Sequence, residues 1–283
     1  MNRFFSIVCL TVWTAVTACG AQTRTLRDVP YYPDEALVQA SDYQKSRCKL
    51  DFRYPTDVTN FSTVVWFHGG GLTGGGKHLV NISDRIAQVS VNYRLLQKDG
   101  SVTGDTCIDD AAAAVAWALK HVAEYGGDPK KVYVSGMSAG GYLTMMVGMD
   151  PSRLAKWGYR LQDLAGLAPV SGQATKHYAV REYAGDKDPQ FLPKIDRLAP
   201  LNFCAKDLPP IVDVCGEPPW EWKGRAEENR LLVASCTALG HPSAYYVECA
   251  FCSHGRVEAA AMPYLQMFVE GRLPDLLKMG PRK

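Results

Sequence analysis

A serine flanked by glycines lies at residues 136–140, whose sequence GMSAG fits the pattern G-x-S-x-G. A nucleophilic hydroxyl at a strand-to-helix turn requires a strained backbone, and the two glycines remove side chains that would clash there. Residues 131–135 (KVYVS) are typical of a strand, and residues 142–146 (YLTMM) are typical of a helix. We therefore predict that Ser138 is a nucleophile, with the positive end of a helix dipole directed at the reacting oxygen.

A glycine-rich loop is the second feature that could take part in chemistry. Residues 68–71 (HGGG) directly follow the apolar run 64–67 (VVWF), and their glycines leave the backbone N–H groups unshielded. Such groups, together with the N–H that follows the nucleophile, can stabilise an oxyanion. The expected donors are Gly70, Gly71 and Ala139. A phosphate-binding loop is disfavoured because the Walker spacing is absent, and His68 is expected to anchor the loop rather than transfer protons.

A histidine near the end of the chain is the candidate general base. His254 follows the strand-like run 244–249 (AYYVEC), and a base for the serine has to come from a loop at the same edge of the sheet. The other histidines lie in the glycine loop or in surface-like and helix-end contexts. We therefore predict that His254 accepts the proton of the nucleophile.

The acid that would orient this base has two candidates. The chain order nucleophile, acid, base places it after the strand-like run 211–215. Glu217 follows the end of this run almost directly, and Glu221 lies four residues further into the loop. Either carboxylate could accept the Nδ1–H of His254 and stabilise the imidazolium. Glu221 is preferred, Glu217 stays open as the alternative, and Asp213 is expected to point into packing.

Strand-like and helix-like segments alternate along most of the chain. The segments expected to form strands are 48–54, 63–67, 86–93, 131–135, 164–170, 211–215 and 244–249. The segments expected to form helices are 106–125, 139–149, 224–239 and 257–270. This alternation predicts an α/β fold with a mainly parallel sheet covered on both faces, whose carboxyl edge carries the site. Residues 171–207 lack periodicity and are expected to form a cap or loop excursion over that edge.

The N-terminus has the features of an export signal. A short basic start precedes the apolar run 4–16, which is shorter than the roughly 20 residues that a membrane-spanning helix needs. We predict a signal peptide over residues 1–18, an N-terminal extension over 19–45 and a catalytic domain over 46–283. Residues 16–19 (VTAC) resemble a bacterial lipobox, so Cys19 is the expected lipidation site. The protein is expected to be periplasmic or lipid-anchored to the bacterial outer membrane, with ordinary cleavage near Ala21 as the alternative.

The composition and the cysteines limit the partners, disulfides and metal sites that we expect in this protein. The net charge is +2, and no Lys/Arg-rich block is present, so nucleic acid is not an expected partner. Apart from Cys9 in the predicted signal peptide and the predicted lipidation site Cys19, the chain has seven cysteines, and at least one of them must stay unpaired. Cys249 and Cys252 have redox-motif spacing at the end of a strand-like run, which favours a structural disulfide or buried thiols. No zinc-type spacing is present, and neither a metal nor a cofactor is predicted.

The motifs together resemble a known family. The HGGG loop, the GMSAGG turn at residues 136–141 and the His254–Gly255 pair resemble HGGG-type carboxylesterases of the α/β-hydrolase superfamily. They are more closely similar to bacterial exported feruloyl/acetyl-esterase-like proteins, over residues 43–268. The resemblance implies an eight-stranded α/β-hydrolase fold and ester hydrolysis without metal or organic cofactor. One position departs from the pattern, since Pro219 stands where family members usually carry the acid.

The predicted function is hydrolysis of carboxylic esters by a Ser-His-acid triad. Export suits short acyl or aryl esters on carbohydrate, so the expected partner is a small-molecule or carbohydrate-linked ester. Trp220, Trp222, Tyr178 and Tyr183 could stack against its rings. Two alternatives remain: a peptidase or amidase on the same fold, and a catalytically silent surface-anchored binding protein, for which Pro219 is the support. Membrane contact is expected only through the lipid anchor, and the sequence does not indicate an oligomeric state.

Overall fold

A computed structural model describes residues 21–273, in which eight strands form one sheet. The strands are β1 (Thr23–Pro30), β2 (Lys49–Pro55), β3 (Phe61–Phe67), β4 (Ala87–Val91), β5 (Gly127–Met137), β6 (Gly166–Val170), β7 (Ile211–Gly216) and β8 (Ala244–Cys249). Their spatial order is β1-β2-β4-β3-β5-β6-β7-β8. β2 is antiparallel to both of its neighbours, and the strands from β4 to β8 run parallel.

Helices cover both faces of this sheet. They are α1 (Asp34–Val38), α2 (Asp42–Arg47), α3 (Gly104–His121), α4 (Ala139–Met149), α5 (Pro151–Ala155), α6 (Tyr178–Tyr183), α7 (Arg225–Ala238) and α8 (Val257–Val269). The side chains of β3 alternate between two cores: Val65 and Phe67 join the core under α3 and α4, and Val64 and Trp66 join the core under α8. A strand buried on both faces reads as a continuous apolar run, as residues 64–67 do.

The predicted α/β fold with a mainly parallel sheet is confirmed, and most predicted elements match within a few residues. α4 and β8 have the predicted bounds. α3 begins at Gly104 because the side chain of Thr103 accepts a hydrogen bond from the N–H of Thr106 and caps the helix. The last predicted turn of this helix, residues 122–125, is a separate 3-10 turn.

The boundary predicted at residue 46 is wrong, because the sheet begins in the segment assigned to an N-terminal extension. β1 pairs with β2 from Thr23↔Pro55 to Pro30↔Lys49. β1 is an edge strand with no fully buried residue, so its sequence lacks the apolar alternation that marks a half-buried strand. The predicted signal peptide, residues 1–18, and the lipidation site Cys19 lie outside the described residues and stay predictions.

The segment 171–207 forms the expected excursion above the carboxyl edge of the sheet. It contains α6 and a 3-10 turn at Pro200–Phe203, and the remainder is irregular. Ion pairs hold it in place, among them Arg181 with Asp186 at 2.9 Å and Arg197 with Asp105 of α3 at 2.7 Å. The excursion is therefore an ordered part of the surface around the carboxyl edge.

Cysteines, metal ligands and membrane spans can be assessed within residues 21–273. All seven cysteines there carry free thiols, and Cys249 and Cys252 are both buried, so this pair follows the buried-thiol alternative rather than the disulfide. In that range no group of three or more His, Cys, Asp or Glu side chains could hold a metal ion. None of the helices described there has both the length and the apolar character to cross a bilayer.

Candidate active site

Ser138 forms a sharp turn between the central strand and the helix behind it. β5 ends at Met137 and α4 begins at Ala139, so the serine is the single residue between them. Its φ of 56° and ψ of −112° are unusual for a residue with a side chain, and such a conformation costs on the order of 1–3 kcal/mol. Its N–H donates to the carbonyl of Val170 at 2.8 Å, and its carbonyl accepts from the N–H of Tyr142 at 2.9 Å. These bonds hold the strained turn.

The glycines of the motif permit a close approach of the neighbouring strand. A Cβ atom at Gly136 would lie 2.6 Å from the carbonyl oxygen of Phe67, and one at Gly140 would overlap the same oxygen. The end of β3 therefore packs directly against the turn. Because the glycine loop continues from β3, this packing also brings the loop to Ser138.

The serine, the histidine and one of the two candidate acids form a continuous hydrogen-bonded chain. His254 Nε2 lies 2.9 Å from Ser138 Oγ, and His254 Nδ1 lies 2.5 Å from Glu221 Oε1. β5, the loop after β7 and the loop after β8 supply these three side chains at the same edge of the sheet. The predicted preference for Glu221 therefore matches the geometry. Glu217 lies apart, and its Oε2 accepts a hydrogen bond from the N–H of Phe251 at 2.7 Å.

Glu221 is buried, with 7% of its surface exposed, and it accepts several hydrogen bonds. Oε1 also accepts the N–H of Trp222 at 2.8 Å, and Oε2 accepts the hydroxyl of Ser171 at 2.7 Å. Burial alone would raise the pKa of Glu221, but the bonds from His254, Ser171 and Trp222 outweigh it and lower the pKa. The side chain is therefore held as a carboxylate beside the imidazole.

Ser171, which donates a hydrogen bond to the Glu221 carboxylate, was not predicted from the sequence. It follows the last residue of β6, has a φ of +45°, and its carbonyl accepts a hydrogen bond from the buried Arg225 guanidinium at 2.6 Å. The available signal was a polar residue directly after a buried strand, at the carboxyl edge of the sheet. Asp213, in contrast, lies inside β7 as expected, where burial raises its pKa well above the usual range.

The glycine loop presents free backbone donors beside the serine. Gly70 and Gly71 have φ values of +106° and +65°, which favour glycine. A Cβ atom at Gly69 would lie 3.5 Å from the Cβ of Ser138, so the loop contacts this serine. Within residues 21–273, the N–H groups of Gly70, Gly71 and Ala139 donate to no acceptor. Three unpaired donors around a nucleophile are suited to a developing negative charge.

His68 anchors this loop from below, as predicted. Its ring stacks on Tyr93 with a centroid distance of 4.4 Å, and its Nδ1–H donates to the carbonyl of Gly69 at 2.6 Å. The hydroxyl of Tyr93 donates to the carbonyl of His68 at 2.8 Å. The pKa of His68 is lowered to about 4, mainly by burial and to a smaller extent by the nearby Arg47 cation, against the opposing hydrogen bond to the Gly69 carbonyl. The imidazole is therefore neutral at physiological pH.

Acid should destabilise the protein through His68. Between its ordinary pKa of about 6.5 and the folded value of about 4, the unfolded chain binds a proton that the folded chain does not. The contribution of His68 to the free energy of unfolding is therefore fully present above pH 6.5. It decreases by about 3 kcal/mol as the pH falls to 4. Urea unfolding at pH 7.5 and pH 4.5 should show a smaller decrease for His68→Gln than for wild type. Equal decreases in the two proteins would contradict this role.

Parts of this chain are similar in sequence to a family model and to known carboxylesterases. The BD-FAE family model matches residues 50–163, which include the glycine loop and the serine turn. Liver carboxylesterase B-1 of Rattus norvegicus is 33% identical over 116 residues, which are 36% of this chain and 21% of that protein. Carboxylesterase NlhH of Mycobacterium tuberculosis (strain ATCC 25618 / H37Rv) is 37% identical over 103 residues, 33% of this chain and 30% of that protein. The matched segments thus span less than a third of these curated relatives.

Solved structures match over nearly the whole described fold. A truncated carbohydrate esterase from gut microbiota superposes with a TM-score of 0.67 at 16% identity, covering 89% of this chain and 96% of that one. EstE1, a thermophilic carboxylesterase cloned from a metagenomic library, superposes with a TM-score of 0.61 at 18% identity and 90% coverage of both chains. The chain therefore has the α/β-hydrolase fold. The eight-stranded α/β-hydrolase fold implied by the sequence motifs is confirmed.

Two aromatic residues flank the hydrogen-bonded chain formed by Ser138, His254 and Glu221. The indole of Trp222 stacks on the His254 imidazole with a centroid distance of 4.8 Å and an interplanar angle of 27°. Tyr178 packs on Trp222 at 5.7 Å, and its hydroxyl lies 2.6 Å from the position of a Cβ atom on Gly71. The two rings therefore line the space between the histidine and the glycine loop.

The other two aromatic residues named in the sequence analysis lie elsewhere. Trp220 is 57% exposed on the turn before Glu221. Tyr183 lines a separate cavity of about 290 Å³ between α6 and the loop before α3, together with Leu96 and Val180. Only Tyr178 and Trp222 are thus in a position to contact a substrate bound at Ser138.

Proposed function

We propose that this α/β-hydrolase is a serine esterase that cleaves carboxylic esters. The observation that supports this most strongly is the hydrogen-bonded chain from Glu221 through His254 to Ser138, beside three unpaired backbone N–H groups. A strained serine, an imidazole within hydrogen-bond distance of it and a buried carboxylate are the parts that acyl transfer requires. The carboxylesterase relatives, whose matches cover 36% and 33% of this chain, are consistent with this chemistry.

Acylation begins when His254 Nε2 takes the proton of Ser138 Oγ, which attacks the ester carbonyl carbon. The carbonyl oxygen becomes an oxyanion and accepts hydrogen bonds from Gly70, Gly71 and Ala139. Glu221 accepts the Nδ1–H of His254, which fixes the tautomer and stabilises the imidazolium. The tetrahedral species collapses, the ester C–O bond breaks, and the alcohol leaves with the proton from Nε2.

Deacylation repeats these steps with water. His254 takes a proton from a water molecule, whose oxygen attacks the acyl carbonyl of the Ser138 ester. The oxyanion forms at the same backbone groups, and Ser138 Oγ leaves with the proton held on Nε2. The products are a carboxylic acid, an alcohol and the original enzyme.

Covalent labelling tests this proposal without knowledge of the natural substrate. A fluorophosphonate should react with one equivalent of protein, and peptide mass spectrometry should place the adduct on the peptide that contains Ser138. The reaction should be abolished by prior heat denaturation and in the Ser138→Ala protein. Labelling that survives the substitution, or the absence of labelling in wild type at neutral pH, would contradict the proposal.

The silent binding protein is less well supported than the esterase. Its support was Pro219 at the position where the family usually carries the acid. Glu221, two residues later, contacts His254 at hydrogen-bond distance. The chain therefore offers a complete set of groups in spite of the substitution.

We further propose that the substrate is a short acyl or aryl ester on a carbohydrate. Tyr178 and Trp222 offer flat ring surfaces next to the triad, and one structural neighbour is a carbohydrate esterase. A Trp222→Leu substitution keeps an apolar cover over His254 but removes the stacking surface, which is worth roughly 0.5–1.5 kcal/mol for ring pairs.

Kinetics with two acetate esters test this substrate class. Trp222→Leu should raise KM for an acetylated xyloside by about 2- to 10-fold, the equivalent of the stacking energy. KM for ethyl acetate should change less than twofold, and the matched control Trp220→Leu should leave both unchanged. Equal increases of KM for both esters, or faster cleavage of octanoate than acetate by wild type, would argue against short acyl groups on sugars.

A further inference from the structure

Glu217, the alternative acid of the sequence analysis, joins the two loops that carry the triad acid and base. Its backbone carbonyl accepts the N–H groups of Trp220 and Glu221, each at 2.9 Å, and so closes the turn that ends at the acid. Its side chain reaches the other loop, where Oε2 accepts the N–H of Phe251 at 2.7 Å. Phe251 lies three residues before His254.

Few other hydrogen bonds connect the loop of Glu217 to the loop of Phe251. Apart from the Glu221–His254 contact itself, the bond from Phe251 to Glu217 is the one hydrogen bond between residues 217–224 and residues 250–256 in the described chain. Both segments lie outside helices and strands, and such loops are the more mobile parts of a fold. A bond to a carboxylate is stronger than one between neutral groups.

Phe251, whose N–H donates this bond, is strained and exposed. Phe251 has a φ of +55° and is 79% exposed, so neither its conformation nor its burial explains why the chain takes this path. Its N–H is directed at Glu217, which compensates part of the strain. The loops also touch at Gly216, where a Cβ atom would lie 2.5 Å from the carbonyl oxygen of Cys252 and 2.9 Å from Glu221 Oε2.

We propose that Glu217 is a positioning residue, whose carboxylate fixes the separation between the acid loop and the base loop. This inference rests on the proposed esterase function. Glu221 and His254 must hold their hydrogen bond within a fraction of an ångström if His254 is to take the proton of Ser138 efficiently. Glu217 acts on the distance between Glu221 and His254 through the backbone of both loops. It does not contact the reacting atoms.

Three variants separate this role from a general effect on folding. Glu217→Ala removes the acceptor, Glu217→Gln keeps an oxygen acceptor without the charge, and Glu227→Ala removes an equal charge from the first turn of α7. Glu217→Ala should lower kcat for p-nitrophenyl acetate about tenfold, the equivalent of 1.36 kcal/mol of barrier, with less than a twofold change of KM. Glu217→Gln should recover most of this loss, and Glu227→Ala should match wild type.

Proton NMR provides a readout that does not require turnover. The Nδ1–H of His254 should give a downfield resonance in wild type and Glu217→Gln, and exchange should broaden this signal in Glu217→Ala. An inactive wild type that still shows this pattern would reject the esterase and keep the positioning role. A Glu217→Ala protein with wild-type kcat and an unbroadened signal, or a Glu217→Gln protein as impaired as Glu217→Ala, would overturn the positioning role even in an active esterase.

Discussion

Replacing Ser138 by alanine should lower kcat toward p-nitrophenyl acetate by about 10⁵- to 10⁶-fold. The substitution removes the oxygen that lies 2.9 Å from His254 Nε2, and no acyl-enzyme can form without it. The unpaired backbone donors of the glycine loop remain, so hydrolysis by bound water should still exceed the uncatalysed rate by about 10³-fold. Initial rates measured with an enzyme prepared free of host esterases test this expectation.

The fold should survive this substitution, which makes the kinetic result interpretable. Alanine differs from serine by one oxygen, and the turn is held by backbone bonds to Val170 and Tyr142 rather than by the side chain. Urea unfolding midpoints should therefore agree between the two proteins. The double variant Ser138→Ala/His254→Ala should be no slower than the single one, because the two groups act as a unit. More than 1% of wild-type kcat in Ser138→Ala would exclude this serine as the nucleophile.

The features that were predictable from sequence are those fixed by neighbouring residues. The serine turn depends on a strand, two glycines and a helix that are contiguous in the sequence. The same holds for the glycine loop, whose donors are defined by positive φ values at Gly70 and Gly71. Short-range constraints of this kind do not depend on the rest of the fold.

The features that were not predictable depend on contacts between distant segments. Sequence alone left Glu217 and Glu221 open, because the choice depends on a turn closed by the Glu217 carbonyl and on where the β8 loop places His254. Ser171 was missed for the same reason, since its hydroxyl meets Glu221 across 50 residues of chain. β1 was missed because an exposed edge strand does not need apolar alternation.

Glu221 variants should produce the second largest loss, and the size should depend on the substituted side chain. Glu221→Ala removes the acceptor for Nδ1–H and should lower kcat by about 10⁴-fold, as for a lost triad acid. In Glu221→Gln one oxygen becomes an NH₂ group, and its placement decides the outcome. Trp222 N–H and His254 Nδ1–H both donate to Oε1, so an NH₂ group there would meet two donors.

Placing the NH₂ group of the glutamine at the Oε2 position instead gives it a hydrogen-bond acceptor. At the Oε2 position the NH₂ group faces the hydroxyl of Ser171, which can accept if its own proton turns to the sulfur of Cys215, 3.6 Å away. The glutamine oxygen then keeps the tautomer of His254, and only the negative charge is lost. Hydrogen bonds to charged groups contribute about 1.5–3 kcal/mol, so Glu221→Gln should lower kcat only about 10- to 150-fold.

Ser171→Ala tests this explanation, because it removes the acceptor that permits the favourable placement. The double variant Ser171→Ala/Glu221→Gln should lose more activity than the product of the two single losses, whereas Ser171→Ala alone should retain most of kcat. Burial and three donors hold the Glu221 carboxylate, whereas Glu217 contacts a single N–H of the base loop. A Glu217→Gln protein slower than Glu221→Gln would therefore reverse the assignment of the acid.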